Sequence, residues 1–213
     1  MVTLIIVRHG YSKSNEQEFF TGQTDVSLAE LGFEQARQTA EYIYKHFNID
    51  KIYSSPLQRA YQTAEPLAKL CNQTITTIEA LKEINGGEWE EKTPEQILSL
   101  YQEDYTLWLT DIGFARCTNG ENMREVQLRA IPAMEKVAKE NEGKTIALFL
   151  HAGVIRALQC VWQGVPISEM KKVPWVENAS FSVVEYQNGK FDIRIMGYSD
   201  HLTTPKTNLP KNM

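Results

Sequence analysis

An apolar run near the start of the chain ends in a cation, an imidazole and a glycine, since residues 3–10 are Thr-Leu-Ile-Ile-Val-Arg-His-Gly. Arginine binds oxyanions bidentately, and histidine acts as nucleophile, acid or base near neutral pH. A short β-branched run is typical of a strand buried on both faces, and open α/β sheets bind ligands beyond the carboxyl ends of such strands. The pattern predicts that Arg8 and His9 project into a ligand crevice. A helix that begins after the apolar run is the alternative interpretation.

Three further junctions resemble the first. A strand over 49–54 leads through Ser55 into a helix with Arg59 in its first turn, and the strand 144–150 ends at His151. Glu83 follows a strand predicted within 75–80. Parallel strands end at the same sheet edge, so these side chains are predicted to converge. Taken singly, Arg59 reads as a helix-surface residue, Glu83 as a solvated loop acid and His151 as a core histidine.

Two arginines, two histidines and one carboxylate suit phosphoryl transfer. The arginines would bind the phosphoryl oxygens, and a neutral histidine would attack phosphorus as a covalent nucleophile. The second histidine would donate to a nonbridging oxygen, and the carboxylic acid would protonate the leaving alkoxide before activating water. None of these steps requires a metal, and a metallohydrolase would want several closely spaced His and Asp ligands, which the sequence lacks.

Composition narrows the class of protein. The 213 residues are 42% hydrophobic, enough for a substantial core, and carry a net charge of −5, which disfavours a broad nucleic-acid surface. No apolar stretch is long enough to span a bilayer, and the first residues lack the features of a signal peptide. Cys71, Cys117 and Cys160 form no CxxC pair, so a reducing cytoplasm is expected.

Capping signals predict where several helices begin. Ser27 with Glu30, and Ser55 with Gln58, match the capping-box spacing, while residues 11–26 between strand and helix are predicted to be loop. The sequence Thr-Pro-Glu-Gln at 93–96 predicts another start, of a single helix with an apolar stripe formed by Ile97, Tyr101, Tyr105 and Trp108.

The remaining pattern completes an α/β fold. A helix near 122–141 is predicted to kink or break early at Pro132, and a helix over 153–162 to end at Gly164. Alternating runs at 181–187 and 190–196 flank Asn188-Gly189, a strong hairpin signal. The alternation of strands and helices predicts a mostly parallel sheet with an antiparallel edge.

Six segments of the sequence resemble one family, the histidine phosphatase superfamily, in its phosphoglycerate-mutase-like branch. The matching segments, in order along the chain, are 8–15, 21–28, 53–60, 81–90, 120–122 with Arg129, and 150–156. The resemblance implies a three-layer αβα sandwich, with His9 as the phosphorylated nucleophile and Glu83 as the proton donor. It further implies a phosphate pocket completed by Arg8, Arg59 and His151, with Asn15, Gly22, Gln23 and Ala152 beside it.

The segments depart from the family pattern in places. Ser12 stands for a threonine, Ala152 for a common glycine, Glu91 for the glycine after Trp-Glu, and Asn122 for the serine after Gly-Glu. None of these positions is catalytic in the family, so the departures bear on substrate specificity and leave the reaction unchanged.

The sequence favours a metal-independent phosphomonoester hydrolase without cofactor that acts on small phosphorylated metabolites and releases inorganic phosphate. A 2,3-bisphosphoglycerate-dependent phosphoglycerate mutase is the alternative, but the insertion usual in such mutases has no obvious place between Glu83 and His151. A second alternative is a regulator that binds phosphate esters without hydrolysing them. The presence of His9 and Glu83 disfavours this alternative. No nucleic-acid or membrane partner is expected, and a homodimer is left open.

The expected organisation is one domain over 1–202. Within it, residues 85–120 are predicted to form a lid that selects the leaving group. Residues 203–213 are polar and contain prolines, so they are predicted to be a loosely ordered tail.

Overall fold

The computed structural model describes residues 1–205, in which strands alternate with helices. The strands are β1 (Val2–Arg8), β2 (Lys51–Ser54), β3 (Ile75–Thr77), β4 (Thr145–Leu150), β5 (Phe181–Gln187) and β6 (Lys190–Tyr198). The helices are α1 (Lys13–Glu16), α2 (Glu30–His46), α3 (Gln58–Cys71), α4 (Pro94–Leu100), α5 (Gln102–Thr110), α6 (Met123–Lys139) and α7 (Ala152–Trp162). Short 3-10 helices lie at Glu79–Leu81, Gly87–Trp89 and Ile167–Lys172. Among the described helices, none has both the length and the apolar character that a membrane crossing requires.

One sheet runs through the molecule in the order β3-β2-β4-β1-β5-β6. The first four strands are parallel, β5 is antiparallel to β1, and β6 is antiparallel to β5. The turn between β5 and β6 uses Asn188 and Gly189 with φ of 53° and 79°, the positive angles that a two-residue hairpin needs. The predicted mostly parallel α/β sheet with an antiparallel edge is therefore confirmed.

Helices cover both faces of the sheet, because the central strand β1 is apolar on both. On one face, Ile5 and Val7 share a core with residues of α2 and α3. On the other face, Leu4 and Ile6 share a core with residues of α6 and α7. Burying each such side chain contributes roughly 1.5–3 kcal/mol relative to leaving it exposed. The result is three layers, with β1 fixed rigidly in the middle one.

Two predicted helix starts are wrong. The helix predicted from Ser27 begins at Glu30, and the helix predicted from Ser55 begins at Gln58, neither with a side-chain cap. The Ser27 hydroxyl donates instead to the side chain of Gln62, at 3.0 Å. The Ser55 hydroxyl bonds across the sheet edge to His151. Both hydroxyls are engaged by partners distant in sequence, which local capping rules do not consider.

Three capping boxes form within the described residues. Thr93 and Gln96 cap α4 reciprocally, which confirms the helix start predicted there. A second box joins Asn122 and Glu125 at the start of α6, and a third joins Ser12 and Asn15 at the start of α1. This helix lies within residues 11–26, so the prediction of an uninterrupted loop there is wrong.

The predicted helix with the apolar stripe is two helices. The helix is interrupted at Tyr101, which lies between α4 and α5 and has non-helical φ and ψ of −134° and 49°. Ile97, Tyr105 and Trp108 are nevertheless buried as the stripe predicted. The break turns α5 relative to α4, so both helices pack their aromatic and aliphatic side chains into the same core.

Helix α6 continues through Pro132, so of the predicted kink or break, the break does not occur. An interior proline costs about 3 kcal/mol because a hydrogen bond is lost and the ring crowds the preceding turn. The buried face of α6, which includes Val126, Ala130 and Met134, is fully covered and offsets that cost.

Part of the predicted tail is described. The backbone N–H of Thr203 donates to Gln38, and Gln35 donates to the carbonyl oxygen of Pro205, so both residues bond to α2. Residues 206–213 of that prediction lie outside the described residues.

Candidate active site

Three parallel strands end side by side, and each is followed by a polar residue. The backbone N–H of His9, after β1, donates to the carbonyl oxygen of Leu150 at 2.9 Å. The N–H of Ser55, after β2, donates to the carbonyl oxygen of Phe149 at 3.0 Å. Because His151 follows Leu150 directly, His9, Ser55 and His151 are neighbours at the carboxyl edge of the sheet. The predicted convergence is present at this edge.

The imidazole of His9 is held in one tautomer. Its Nδ1 lies 2.8 Å from the carbonyl oxygen of Gly10. A carbonyl oxygen only accepts, so Nδ1 carries the proton and Nε2 keeps its lone pair. Burial, together with the Arg59 and Arg8 guanidinium groups, holds the pKa of His9 well below its usual range. His9 is therefore neutral near pH 7 and presents an unprotonated Nε2.

Arg8 is anchored at one end of its guanidinium. Nη1 donates to the carbonyl oxygen of Val176 at 2.6 Å. Within residues 1–205, the buried Nε has no hydrogen-bond partner. Burial lowers the pKa of Arg8 to about 10, which leaves the group charged at neutral pH. Arg8 therefore offers a fixed cation with a donor to spare, which suits an oxyanion.

Arg59 lies in the first turn of α3 and reaches back to the loop after α1. Its Nη2 donates to the carbonyl oxygen of Gly22 at 2.6 Å, and Nη1 to that of Thr24 at 3.0 Å. The carboxylate of Glu90 accepts from the N–H groups of the same loop, those of Gly22, Gln23 and Thr24. The loop is thus bound through both its carbonyl oxygens and its N–H groups. Arg59 is 1% exposed and stays in one position.

His151 faces His9, with ring centroids 5.3 Å apart. Its Nε2 lies 2.7 Å from the Ser55 hydroxyl, which also accepts from the N–H of Leu57. Among the described residues, the buried Nδ1 has no partner. Burial is the main reason, and the nearby Arg59 a further one, that the pKa of His151 lies well below its usual range. A neutral ring whose Nδ1 bears the proton would have one free donor at the site.

Glu83 brings a carboxylate to the same edge, although it is only 7% exposed. Its Oε1 accepts from the N–H of Ile84 at 2.9 Å, and its Oε2 from the N–H of Gly153 at 3.0 Å. Gly153 lies in the first turn of α7, where backbone N–H groups have no partner within the helix. A Cβ at position 153 would lie 2.5 Å from Oε1, so the close approach needs glycine.

The backbone of Glu83 is braced from behind. Arg129 donates to the carbonyl oxygens of Glu83 and Lys82, at 2.9 and 2.6 Å, while its Nε and Nη2 bind Glu121 bidentately. Gln23 donates to the carbonyl oxygen of Glu83 as well, at 3.1 Å. These bonds fix where the carboxylate of Glu83 emerges.

A second brace holds the end of β1. The amide of Asn178 donates to the carbonyl oxygens of His9 and Gly10, at 2.9 and 3.3 Å. The N–H of Ala179 reaches the carbonyl oxygens of Arg8 and His9, at 3.1 and 3.2 Å. Sequence reasoning missed Asn178 because nothing local relates it to residues near position 9. Glu90 and Arg129 lie in the segments that resemble the family, and that signal pointed toward them.

The predicted site residues fall into two groups. A cavity of about 640 Å³ is lined by Arg8, Asn15, Glu83 and Ala152. His9 and His151 directly neighbour the lining residues Arg8 and Ala152 along the chain. Gly22 and Gln23 contact Arg59 and Glu83. Asn15 also accepts from Ser12 and Asn178 through Oδ1. The structure therefore brings all of the predicted residues to one region.

The chemistry of the set follows from its members. A neutral imidazole with a free Nε2 is a nucleophile, two buried guanidinium groups neutralise an oxyanion, and a carboxyl group nearby can move a proton. In the part of the chain that the structure describes, no three His, Cys, Asp or Glu side chains are grouped to hold a metal ion.

Comparison with known proteins gives one consistent result. The family model described as histidine phosphatase superfamily (branch 1) matches residues 4–198. Phosphoserine phosphatase 1 of Hydrogenobacter thermophilus is 31% identical over 202 residues, which cover 95% of this chain and 95% of that protein. The metal-independent phosphoserine phosphatase of Arabidopsis thaliana is 28% identical over 210 residues, covering 94% of this chain and 83% of that protein.

A solved structure agrees with these relatives. Bacillus stearothermophilus YhfR superposes with a TM-score of 0.90 at 26% sequence identity. The superposition covers 94% of this chain and 99% of that one. The likeness therefore extends over the whole α/β sandwich described above.

Proposed function

Because this chain belongs to the histidine phosphatase superfamily (branch 1), we propose that it hydrolyses small phosphomonoesters through a covalent phosphohistidine formed on His9. The chain is a phosphatase, as its family and its phosphatase-named relatives establish. The identity of the intermediate and the role of each side chain are the proposal. Its substrates are small phosphorylated metabolites, and it works without a metal.

One observation carries the proposal, namely the hydrogen bond from His9 Nδ1 to the carbonyl oxygen of Gly10. This bond leaves Nε2 unprotonated, and the depressed pKa keeps the ring neutral. A neutral, oriented imidazole is what a nucleophile toward phosphorus requires. The adjoining Arg8 and Arg59 supply the positive charge that a phosphoryl group needs.

In the first step, Nε2 of His9 attacks phosphorus and the bond from phosphorus to the ester oxygen breaks. Arg8, Arg59 and a proton on Nδ1 of His151 stabilise the charge on the nonbridging oxygens. Protonated Glu83 gives its proton to the departing alkoxide, so the alcohol leaves neutral.

In the second step, water attacks phosphorus from the side that the alcohol has left. The carboxylate of Glu83 takes a proton from this water, and the bond between phosphorus and Nε2 breaks. Inorganic phosphate leaves, and His9 and Glu83 return to their starting protonation states. The same carboxyl group serves as acid and then as base, because it faces the leaving and attacking oxygens in turn.

Residues 85–120 are the proposed substrate-specificity lid. Pro94, Tyr105, Trp108 and Leu109 from this segment line the cavity. Ile97 and Trp108 also belong to the same buried cluster as Leu4 and Leu148 of the sheet. This shared core supports our placing residues 1–202 in one domain. The free thiols of Cys71, Cys117 and Cys160 support a cytoplasmic location.

The nucleophile is tested by replacing His9 with alanine and measuring hydrolysis of 4-nitrophenyl phosphate. Removing a covalent nucleophile should cost at least about 10³-fold in kcat. The wild-type protein, quenched in alkali during turnover because phosphohistidine is acid-labile, should carry one phosphoryl group by mass spectrometry. The matched control is His46→Ala, since His46 is exposed in the last turn of α2, which leads into the start of β2.

Two outcomes would overturn the proposal: turnover that survives in His9→Ala, or a phosphoryl group that maps to another residue. Activity lost to a chelator and restored by zinc would favour a metal mechanism. A 2,3-bisphosphoglycerate-stimulated isomerisation of 3-phosphoglycerate that is faster than phosphate release would favour the mutase.

A further inference from the structure

The cavity beside the catalytic groups has mostly apolar walls outside its phosphate end. Its lining includes Phe19, Phe20, Tyr105, Trp108, Met123 and Trp175. Phe20 packs edge-to-face against Trp108 and Trp89, with ring centroids 5.6 and 5.5 Å apart. Aromatic side chains locked by one another form a rigid wall. The space for the leaving alcohol is therefore preformed and apolar.

The charges around this space are unequal. Among the described residues that line the cavity, Arg8 is the only basic side chain, and the phosphate end requires it. Two carboxyl groups line the same cavity, those of Glu83 and Glu18. Glu18 is exposed and follows α1 with a positive φ of 56°, which turns the chain at the cavity mouth. A second anion on the substrate would therefore meet carboxylates and no unused cation.

Given the proposed phosphatase reaction, on which this step rests, we infer that the cavity selects phosphomonoesters of apolar or aromatic alcohols that carry no carboxylate. Glu18 is the residue that discriminates, because its charge repels an anionic leaving group at the entrance. The apolar wall favours the ring or alkyl part of the alcohol. Two relatives are named for phosphoserine, whose alcohol carries a carboxylate, so their named substrate should be a poor one for this chain.

The test compares substrates that differ by one carboxylate. The pairs are phenyl phosphate with 4-carboxyphenyl phosphate, and O-phosphoethanolamine with O-phospho-L-serine. In each pair, kcat/KM should be at least about tenfold higher without the carboxylate, as expected for a nearby like charge. The carboxyl group makes 4-carboxyphenol the better leaving group, so slower hydrolysis of its ester reports recognition in the cavity.

Variants then assign the discrimination to Glu18. Glu18→Arg should shrink the ratio in both pairs by at least about threefold, through better kcat/KM for the anionic member. The matched control is Glu16→Arg, since Glu16 is exposed on α1, two residues away, and outside the cavity lining. It makes the same change in net charge and should leave the ratio unaltered.

The inference fails if the wild-type protein hydrolyses both members of each pair equally well. It also fails if Glu16→Arg moves the ratio as much as Glu18→Arg does. Failure of the proposed function would look different, because no phosphomonoester would then be hydrolysed in a His9-dependent manner.

Discussion

The guanidinium of Arg129 donates to the backbone carbonyl oxygen of Glu83 at 2.9 Å while it grips Glu121 bidentately. A lysine cannot make both sets of bonds, because its ammonium lacks the planar fork. In Arg129→Lys, Glu83 should therefore be held less firmly in position. The kcat should fall by about tenfold to 10²-fold, within the range of general-acid effects.

The effect of Arg129→Lys is measured as the loss of kcat for two substrates that differ in their leaving group. Phenyl phosphate needs a proton donor more than 4-nitrophenyl phosphate does, so its kcat should fall further. Arg37→Lys is the control, since Arg37 pairs with Glu34 and Glu41 on the exposed face of α2. Equal losses for both substrates would show that Arg129 supports the fold without positioning Glu83.

A methyl group at position 153 should displace the proton donor. Because the added Cβ would lie 2.5 Å from Oε1 of Glu83, Gly153→Ala should lower kcat for phenyl phosphate by about 10²-fold. Alanine favours a helix over glycine by about 1 kcal/mol, which offsets part of the steric cost to stability. Urea denaturation should therefore show a small change while kcat collapses. An unchanged kcat would remove Glu83 from its proposed role.

The free energy of unfolding should fall at acid pH, because two histidines have a lowered pKa in the folded state. Burial, with nearby arginines, keeps the folded-state pKa of His9 and His151 below the usual value of 6.5. Above that pH both folded and unfolded states are neutral, so the full stability is present. Below it the unfolded chain binds protons first, and each histidine lowers the free energy of unfolding by about 1.4 kcal/mol per pH unit, down to its folded-state pKa.

The measurement for this prediction is urea denaturation at about pH 7 and about pH 5.5, on either side of the ordinary histidine pKa. His151→Asn removes one of the two titrating groups and should show a shallower decline than the wild-type protein. A slope identical in both proteins would mean that His151 does not stay neutral in the folded state.

Asn178 should matter more for its donors than for its size. Asn178→Ala removes the bonds to the carbonyl oxygens of His9 and Gly10 and should cost about 1–3 kcal/mol in the free energy of unfolding. Asn178→Asp should cost more, because a carboxylate would then face those oxygens. Asn48→Ala is the control, at an exposed asparagine. If aspartate were tolerated better than alanine, the amide would not be acting as a donor.

The sequence predicted those parts of the site that rest on short-range patterns. The apolar runs before His9 and His151 signal buried strands within a few residues, and parallel strand ends meet at one edge. The hairpin at Asn188-Gly189 and the capping box at Thr93 are equally local, and both formed as predicted.

Several of the errors arise where distant residues compete for local groups. Ser55 has the spacing of a helix cap, yet its hydroxyl bonds to His151, which lies far along the chain. Pro132 is a helix breaker locally, yet the buried face of α6 holds the helix together. The contact from Asn178 to His9 joins residues 169 positions apart, and no local pattern reports it.

The place of β1 in the sheet has a consequence for biosynthesis. The ribosome makes β1 well before its neighbours β4 and β5, which lie far along the chain. Until they emerge, the nascent chain carries an apolar strand with two unpaired edges, a segment that invites chaperone binding or aggregation. His9 is translated well before Asn178, whose amide holds the His9 carbonyl oxygen, so a chain terminated before Asn178 should be inactive.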